Sequence, residues 1–302
     1  VTATKTHTAP EDLSVPASVI TGEIIDRQGA TRLSDLLAVQ PGLTLNYDHG
    51  AGLQIQGLGA DYTLVLINGQ RVVGRTAGTL NLDRISVRGI ERVEVVRGPS
   101  SSLYGSEALA GVVNIITKTP DANLGAEVRT RYGTHGTSDV AIHAESGGTT
   151  QASMTLQRYA SAGYDLVPET VAPTVPSFSD YTARATVRRD LSNSTHLQLR
   201  GRATHEQQTS RVEVRGETAL FDESAERTDW SVTPQVTHTP HPGTKLTGSV
   251  HASGYHTRRN LQQTDADATL EEIDYDQLFT KADIEGTTTL GHQHLLTAGT
   301  GF

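Results

Sequence analysis

The sequence predicts a mainly β protein in two parts: a compact α+β domain to about residue 120, then an antiparallel up-and-down transmembrane β-barrel. Three observations carry that expectation. From about Leu124 the chain turns to long segments whose side chains alternate between apolar or small and polar, as strands between unlike surroundings do. The connections between them alternate in length, with short turns at one rim and longer polar stretches at the other. Only 35% of the residues are hydrophobic, below the usual share for a packed α/β enzyme, so the chain does not draw on one large apolar core. A soluble sandwich or solenoid is the alternative that the pattern alone leaves open.

In the first part, Thr21 is placed to cap a short helix through Glu23–Asp26 that stops at Gly29. A second helix is expected from about Arg32 to Val39, with Leu33, Leu36 and Leu37 on one face and Pro41-Gly42 closing it. Thr63–Val73 reads as two β runs around Asn68-Gly69, the favoured pair for a tight hairpin. ERVEVVRG and GVVNIITK supply two more strands, joined through RGPSSSLYGSEALAG. Gly98 and Gly105 there, and Gly111 opening the last strand, suit turns and close backbone approach.

In the second part nine strands are expected, starting with LGAEVRTRYG, SDVAIHAES and TQASMTLQRYA and ending with HQHLLTAGTGF. SGGT, LSNST, PHPG and LGHQ are the short turns, and residues of about 160–177, 207–225 and 257–273 are expected as long polar loops. Tyr132, Tyr159, Tyr164, Tyr181, Trp230 and Tyr255 lie near strand ends as a thin aromatic girdle.

Several function classes are disfavoured. Lys+Arg 25 against Asp+Glu 34 leaves a net charge of −9, which offers nucleic acid no basic face. Cysteine is absent, so there is no thiolate nucleophile or thiolate metal site. Ser100-Ser101-Ser102 lacks the G-x-S-x-G turn of a hydrolase, and GLGAD lacks the third glycine of a dinucleotide fingerprint. His292-x-His294 and His238-x-x-His241 flank expected turns, where polar residues are ordinary, so no metal site is assigned; no cofactor is expected. The acidic stretch Thr264–Asp276 lacks the spacing of an EF-hand and reads as a solvated outer loop, with a calcium-ordered loop as the alternative.

The first part resembles the plug domain of TonB-dependent outer-membrane receptors. The resemblance rests on VTATKT, VPASVIT, LSDLLAVQPGLTL, LQIQGLGADYTLVLINGQRVVG and IERVEVVRGPSSSLYGSEALAGVVNIITKTP, which follow the family's order and spacing over about residues 1–120. It implies a Ton box and flexible start over residues 1–8, a plug over 9–120, and the N-terminal portion of a 22-stranded barrel over 121–302. It further implies uptake of a scarce ligand, an iron-siderophore or haem with cobalamin behind, driven by TonB with ExbB and ExbD, and no enzyme activity. A passive channel or surface-binding protein in the outer membrane, not energised by TonB, is the competing class.

The resemblance assigns residues as well. Val1, Thr2, Ala3, Thr4 and Lys5 match the Ton box, which would pair with TonB as an added strand. Tyr47, Asp48, His49, Arg75 and Thr76 match the plug's ligand-facing apex, and Glu94 and Arg97 are expected to meet the barrel wall. Nine strands cannot surround a domain of roughly 35 Å diameter, so the sequence is expected to be part of a longer chain. The terminal Phe302 resembles the end of a complete barrel, but Thr300 and Ala298 match that pattern poorly.

Overall fold

The computed structural model describes residues 16–47, 50–99, 104–120, 123–167, 169–214, 219–264, 266, 268–290 and 294–302. They divide into two compact units near Thr119 and Pro120.

The first unit is built on a five-stranded sheet. Its elements are β1 (Ala17–Thr21), α1 (Gly22–Gln28), α2 (Leu33–Ala38), β2 (Leu43–Asn46), β3 (Gly52–Ile55), β4 (Thr63–Ile67), β5 (Gln70–Arg71), β6 (Ile90–Arg97) and β7 (Gly111–Thr117). The sheet order is β1-β6-β7-β4-β5, with β4 and β7 parallel and the other pairs antiparallel; β2 and β3 form a separate hairpin.

Both helices start and stop where their sequence dictates. Thr21 stands at the N-cap of α1 in extended backbone, without a capping side-chain bond, and Gly29 ends it at φ 66, a left-handed value that costs glycine little. In α2 the carboxylate of Asp35 turns back to accept from the Thr31 and Arg32 amides at 3.1 and 3.0 Å, satisfying donors the helix cannot. Leu33, Leu36 and Leu37, at helical spacing, are wholly buried together with Val93, Val95, Val113 and Ile115 from one face of the sheet. Each is worth roughly 1.5–3 kcal/mol of burial. The opposite face buries Leu64, Leu66, Val96, Ala108 and Val112. The Asn68-Gly69 turn has φ 51 and 78, as the mirror-image hairpin turn requires. It is also tied to β7, since Asn68 Oδ1 accepts from the Thr117 amide and Asn114 Oδ1 from the Gly69 amide, both at 3.0 Å.

The second unit is one nine-stranded antiparallel sheet in which each strand pairs with its sequence neighbour: β8 (Gly125–Tyr132), β9 (Ser138–Ser146), β10 (Thr150–Ser161), β11 (Ser177–Ser192), β12 (Thr195–Glu213), β13 (Leu220–His241), β14 (Thr244–Gln263), β15 (Thr269–Leu290) and β16 (His294–Gly301). Its two faces differ in kind. Register places Val128, Ile142, Leu156, Ala183, Ala203, Trp230, Gly254 and Leu278 in one continuous row across eight strands. Of these Val128, Ile142, Leu156, Trp230 and Leu278 are exposed, as are Val187, Leu199, Val232, Val236 and Val250 on the same face. The other face buries Asp139, Thr155, Gln157, Arg184, Asp229, Thr233 and His251. Apolar side chains outside and polar ones inside invert the pattern of a water-soluble sheet and match a barrel wall in lipid.

The structure corrects the expected outer loops. Residues of about 207–225 and 257–273 are mostly strand, because β12, β13, β14 and β15 run for 19, 22, 20 and 22 residues. A tilted strand needs about 9–11 residues to cross a bilayer. On β13 the outward residues between Thr228 and His238 are Trp230, Val232, Pro234 and Val236, which fits one crossing; the rest of the strand projects beyond it. The third expected loop holds, with residues 162–176 lying between β10 and β11.

Candidate functional site

Two loops that the sequence singles out are brought together in the first unit. Asn81 Oδ1 accepts from the Ala51 amide at 3.0 Å and from the Asp83 amide at 3.1 Å, and the Leu82 amide donates to the Ala51 carbonyl, so the β2–β3 connection is pinned to the segment after Arg75. The approach is close: a Cβ on Gly50 would fall 2.5 Å from the Asn81 side chain, and one on Gly52 would fall 2.6 Å from Thr79. Glycine at both positions is therefore what lets the loops meet.

Of the residues expected to face a ligand, Tyr47 is 67% exposed beside this junction. Its phenol is raised from its ordinary value, by burial first and then by the negative charges of Asp83 and Asp35, so it remains a neutral donor and acceptor at physiological pH. Thr76 is exposed at a tight turn closed by reciprocal backbone bonds with Thr79. Asp48 and His49 lie outside the described residues, as do Val1–Lys5 and Ser100–Ser102.

Arg75 is held by carbonyls of its own unit. Its Nη1 donates to the carbonyls of Ala60 at 3.1 Å and Gly78 at 2.6 Å, and its Nη2 donates to that of Thr63 at 2.7 Å. The fork ties the Thr76–Thr79 turn to the Ala60–Thr63 segment. Burial lowers its pKa, with Arg71 adding to the effect and Glu107 and Asp61 opposing it. Arg75→Ala is expected to cost about 2–3 kcal/mol, since three partly buried carbonyls lose a charged donor. Arg75→Lys should recover only part of that loss, because an ammonium cannot reproduce the fork. Chemical denaturation of the two variants checks this ordering.

Glu94 and Arg97, expected at a barrel wall, have partners inside the first unit. Glu94 is wholly buried on the Val96 face of β6 and accepts from Arg92 Nε at 2.9 Å. Arg97 Nη2 donates to the Pro41 carbonyl at 3.2 Å.

The polar face of the second unit was not picked out as a site from the sequence. Arg200 donates to Gln235 at 2.9 Å and Gln198 at 2.7 Å; Arg202 and Thr204 both reach Asp229; His251 Nδ1 meets Thr233 Oγ1 at 2.8 Å. The signal was available in Arg200, Arg202 and Thr204, polar at alternate positions between Leu199, Gly201 and Ala203. Such a face is wettable and rich in cationic donors suited to anionic solutes.

A protein-family model matches most of the first unit: the TonB-dependent Receptor Plug Domain, over residues 9–112. Over these residues the chain is similar to a TonB-dependent receptor plug domain. Solved structures extend the likeness past the plug into the strands. The ferripyoverdine receptor of the outer membrane of Pseudomonas aeruginosa, bound to ferripyoverdine, superposes with a TM-score of 0.82 at 16% identity, over 99% of this chain and 43% of its own. For the siderophore receptor PiuA from Acinetobacter baumannii the values are 0.77, 14%, 96% and 45%. For the ferric-catecholate import receptor Fiu from E. coli, in its closed form, they are 0.74, 17%, 96% and 46%. The chain thus has the fold of an outer-membrane receptor's plug and part of its barrel, and spans less than half the length of these structures.

Proposed function

We propose that this chain forms the plug and part of the barrel wall of an outer-membrane receptor energised by TonB, with ExbB and ExbD, that takes up a metal chelate of the ferric-siderophore class. The observation that carries the proposal is the order of parts: a plug domain leads directly into strands that are polar on one face and apolar on the other. A 22-strand lumen admits small solutes unless a folded domain fills it, so a plug of this kind implies gated rather than free passage. The ligand class is supported by what the three similar structures are described as receiving: siderophores, ferric catecholates and ferripyoverdine. Tyr47, Asp48, His49, Arg75 and Thr76 are the proposed contacts at the plug's loops, Arg75 also holding its loop in shape.

Val1–Lys5 is proposed as the TonB-pairing strand, where backbone bonds supply affinity and β-branched residues favour the extended form. Deleting Val1–Thr6 in cells is expected to reduce uptake of a labelled ferric siderophore to background while surface binding is retained. Unimpaired uptake would instead identify a passive barrel. Haem and cobalamin belong in the same binding panel as rival ligands.

The membrane-facing assignment has its own consequence. Val232→Arg, at the middle of the apolar row of β13, is expected to destabilise the barrel by about 2–4 kcal/mol in lipid vesicles, whereas the same change in a water-exposed sheet would cost little. Urea unfolding in vesicles measures it.

A further inference from the structure

His256, Asp274 and Asp276 converge on the outward face of the sheet, one row beyond the apolar row of Trp230, Gly254 and Leu278, where β14 and β15 leave the span. We infer that these three side chains form a divalent-metal site of the zinc class, joining β14 to β15 outside the membrane.

Both separations from the imidazole suit ligands around an ion. His256 Nδ1 lies 3.0 Å from Asp276 Oδ1 and 3.5 Å from Asp274 Oδ1, and the three donor atoms all fall within 4.8 Å of one another. Ligand atoms bound at about 2.0–2.2 Å to a tetrahedral or octahedral ion stand roughly 3.0–3.5 Å apart. Hydrogen bonding accounts for only part of this arrangement. A single Nδ1–H serves one oxygen well, yet two carboxylates, which repel each other, are aimed at the same nitrogen. A cation between them satisfies all three.

The strands hold the donors by register. His256 pairs directly with Asp276, and Asp274 lies two residues from Asp276 on the same face of β15. The second oxygen of Asp274 is held by Arg258, whose Nη2 and Nε donate to Oδ2 at 3.1 and 3.3 Å. This fixes the carboxylate and leaves Oδ1 turned to the histidine, as outer partners orient metal ligands elsewhere. Glu226 and Glu272 act on Arg258 from either side and add to the negative potential of the patch. His256 is 38% exposed, Asp274 43% and Asp276 80%, which leaves room for water to complete the coordination. One imidazole with two carboxylates suits zinc better than calcium, which prefers oxygen donors alone.

The test is zinc titration of the full chain folded in detergent micelles, followed by competition with a chromogenic chelator. The wild type is expected to take up one zinc ion per chain at this site in the micromolar range. His256→Ala and Asp276→Asn are each expected to weaken that binding at least tenfold, with Asp222→Asn, an exposed carboxylate on the neighbouring strand, leaving it unchanged. Circular dichroism of each variant establishes that the sheet has formed. Arg258→Gln, which keeps all three ligands and removes only the group that orients Asp274, should weaken binding severalfold without abolishing it. Zinc uptake that is unaltered in His256→Ala, or absent below millimolar concentration in the wild type, overturns the site; calcium binding indifferent to His256 does the same.

Discussion

Gly111→Ala is expected to disrupt the plug sheet, at a cost of about 3 kcal/mol or more. Gly111 opens β7 and is paired on both sides, with Arg97 of β6 and Thr63 of β4. A Cβ built there falls 2.3 Å from the main-chain oxygen of Val96 and 3.0 Å from Ile55 Cδ1. The oxygen belongs to the sheet itself, so it has no rotamer by which to withdraw. Relief must come from moving β6 or β7, and either motion stretches ladder bonds at the centre of a five-stranded sheet. Gly69→Ala is the fitting comparison: nothing lies within 4 Å of its Cβ, and the cost is confined to a left-handed backbone at φ 78, about 1–2 kcal/mol. Hydrogen exchange in the intact chain separates the two. A loss of 3 kcal/mol speeds exchange of the β4, β6 and β7 amides about a hundredfold, and a loss near 1 kcal/mol less than tenfold. Protection in Gly111→Ala within twofold of the wild type would show that the close approach does not constrain the sheet.

Gly111 was readable in the sequence as a place of close backbone approach, as was the Asn68-Gly69 hairpin, because glycine and asparagine mark backbone positions that other residues avoid. What the sequence did not reveal was the partner in each case. The parallel contact of β4 with β7 joins segments far apart in the chain, and no local pattern announces it. The extent of β12–β15 escaped for another reason. Where a strand crosses lipid, one face is apolar and period two is visible; beyond the crossing both faces meet water and the alternation disappears. Arg259 with Glu223 and Glu271 on one face, and Arg258 with Asp274 on the other, show such a stretch: extended by its pairing, yet polar throughout. For that reason the acidic run from Thr264 to Asp276 reads as a loop in the sequence, although Thr269–Asp276 lies in β15. Arg75 shows the limit at the site itself, since residue type revealed a fork of donors and only the fold revealed that carbonyls of its own unit occupy it.

Asp229→Ala is expected to destabilise the barrel wall by about 3–5 kcal/mol, the usual result of removing one partner from a buried ion pair. Asp229 receives Arg202 and Thr204, and the side chains of the ion pair are only 8% and 3% exposed. The register makes the aspartate necessary, because Arg184 lies directly opposite Arg202 on the adjacent strand, and like charges so placed oppose pairing. Without Asp229 those guanidiniums face each other across a buried row with less opposing charge, and the Thr204 hydroxyl loses its acceptor. Asp229→Asn should fall between, since the amide oxygen still accepts from Thr204 while the charge is gone. Combining Asp229→Ala with Arg202→Met should recover part of the loss, because one of the two facing cations is removed along with its partner. The comparison is Asp222→Ala, which breaks the pair with Arg211 where both side chains are about half exposed (52% and 54%) and the expected cost is about 0–1 kcal/mol. Thermal unfolding in detergent micelles, followed by the β-sheet signal, ranks the four variants. Equal shifts for Asp229→Ala and Asp222→Ala would mean that water reaches the inner row freely and that its charges are screened; a large shift rescued by Arg202→Met would establish that electrostatic balance across strands, rather than apolar packing, holds the polar face of this wall together.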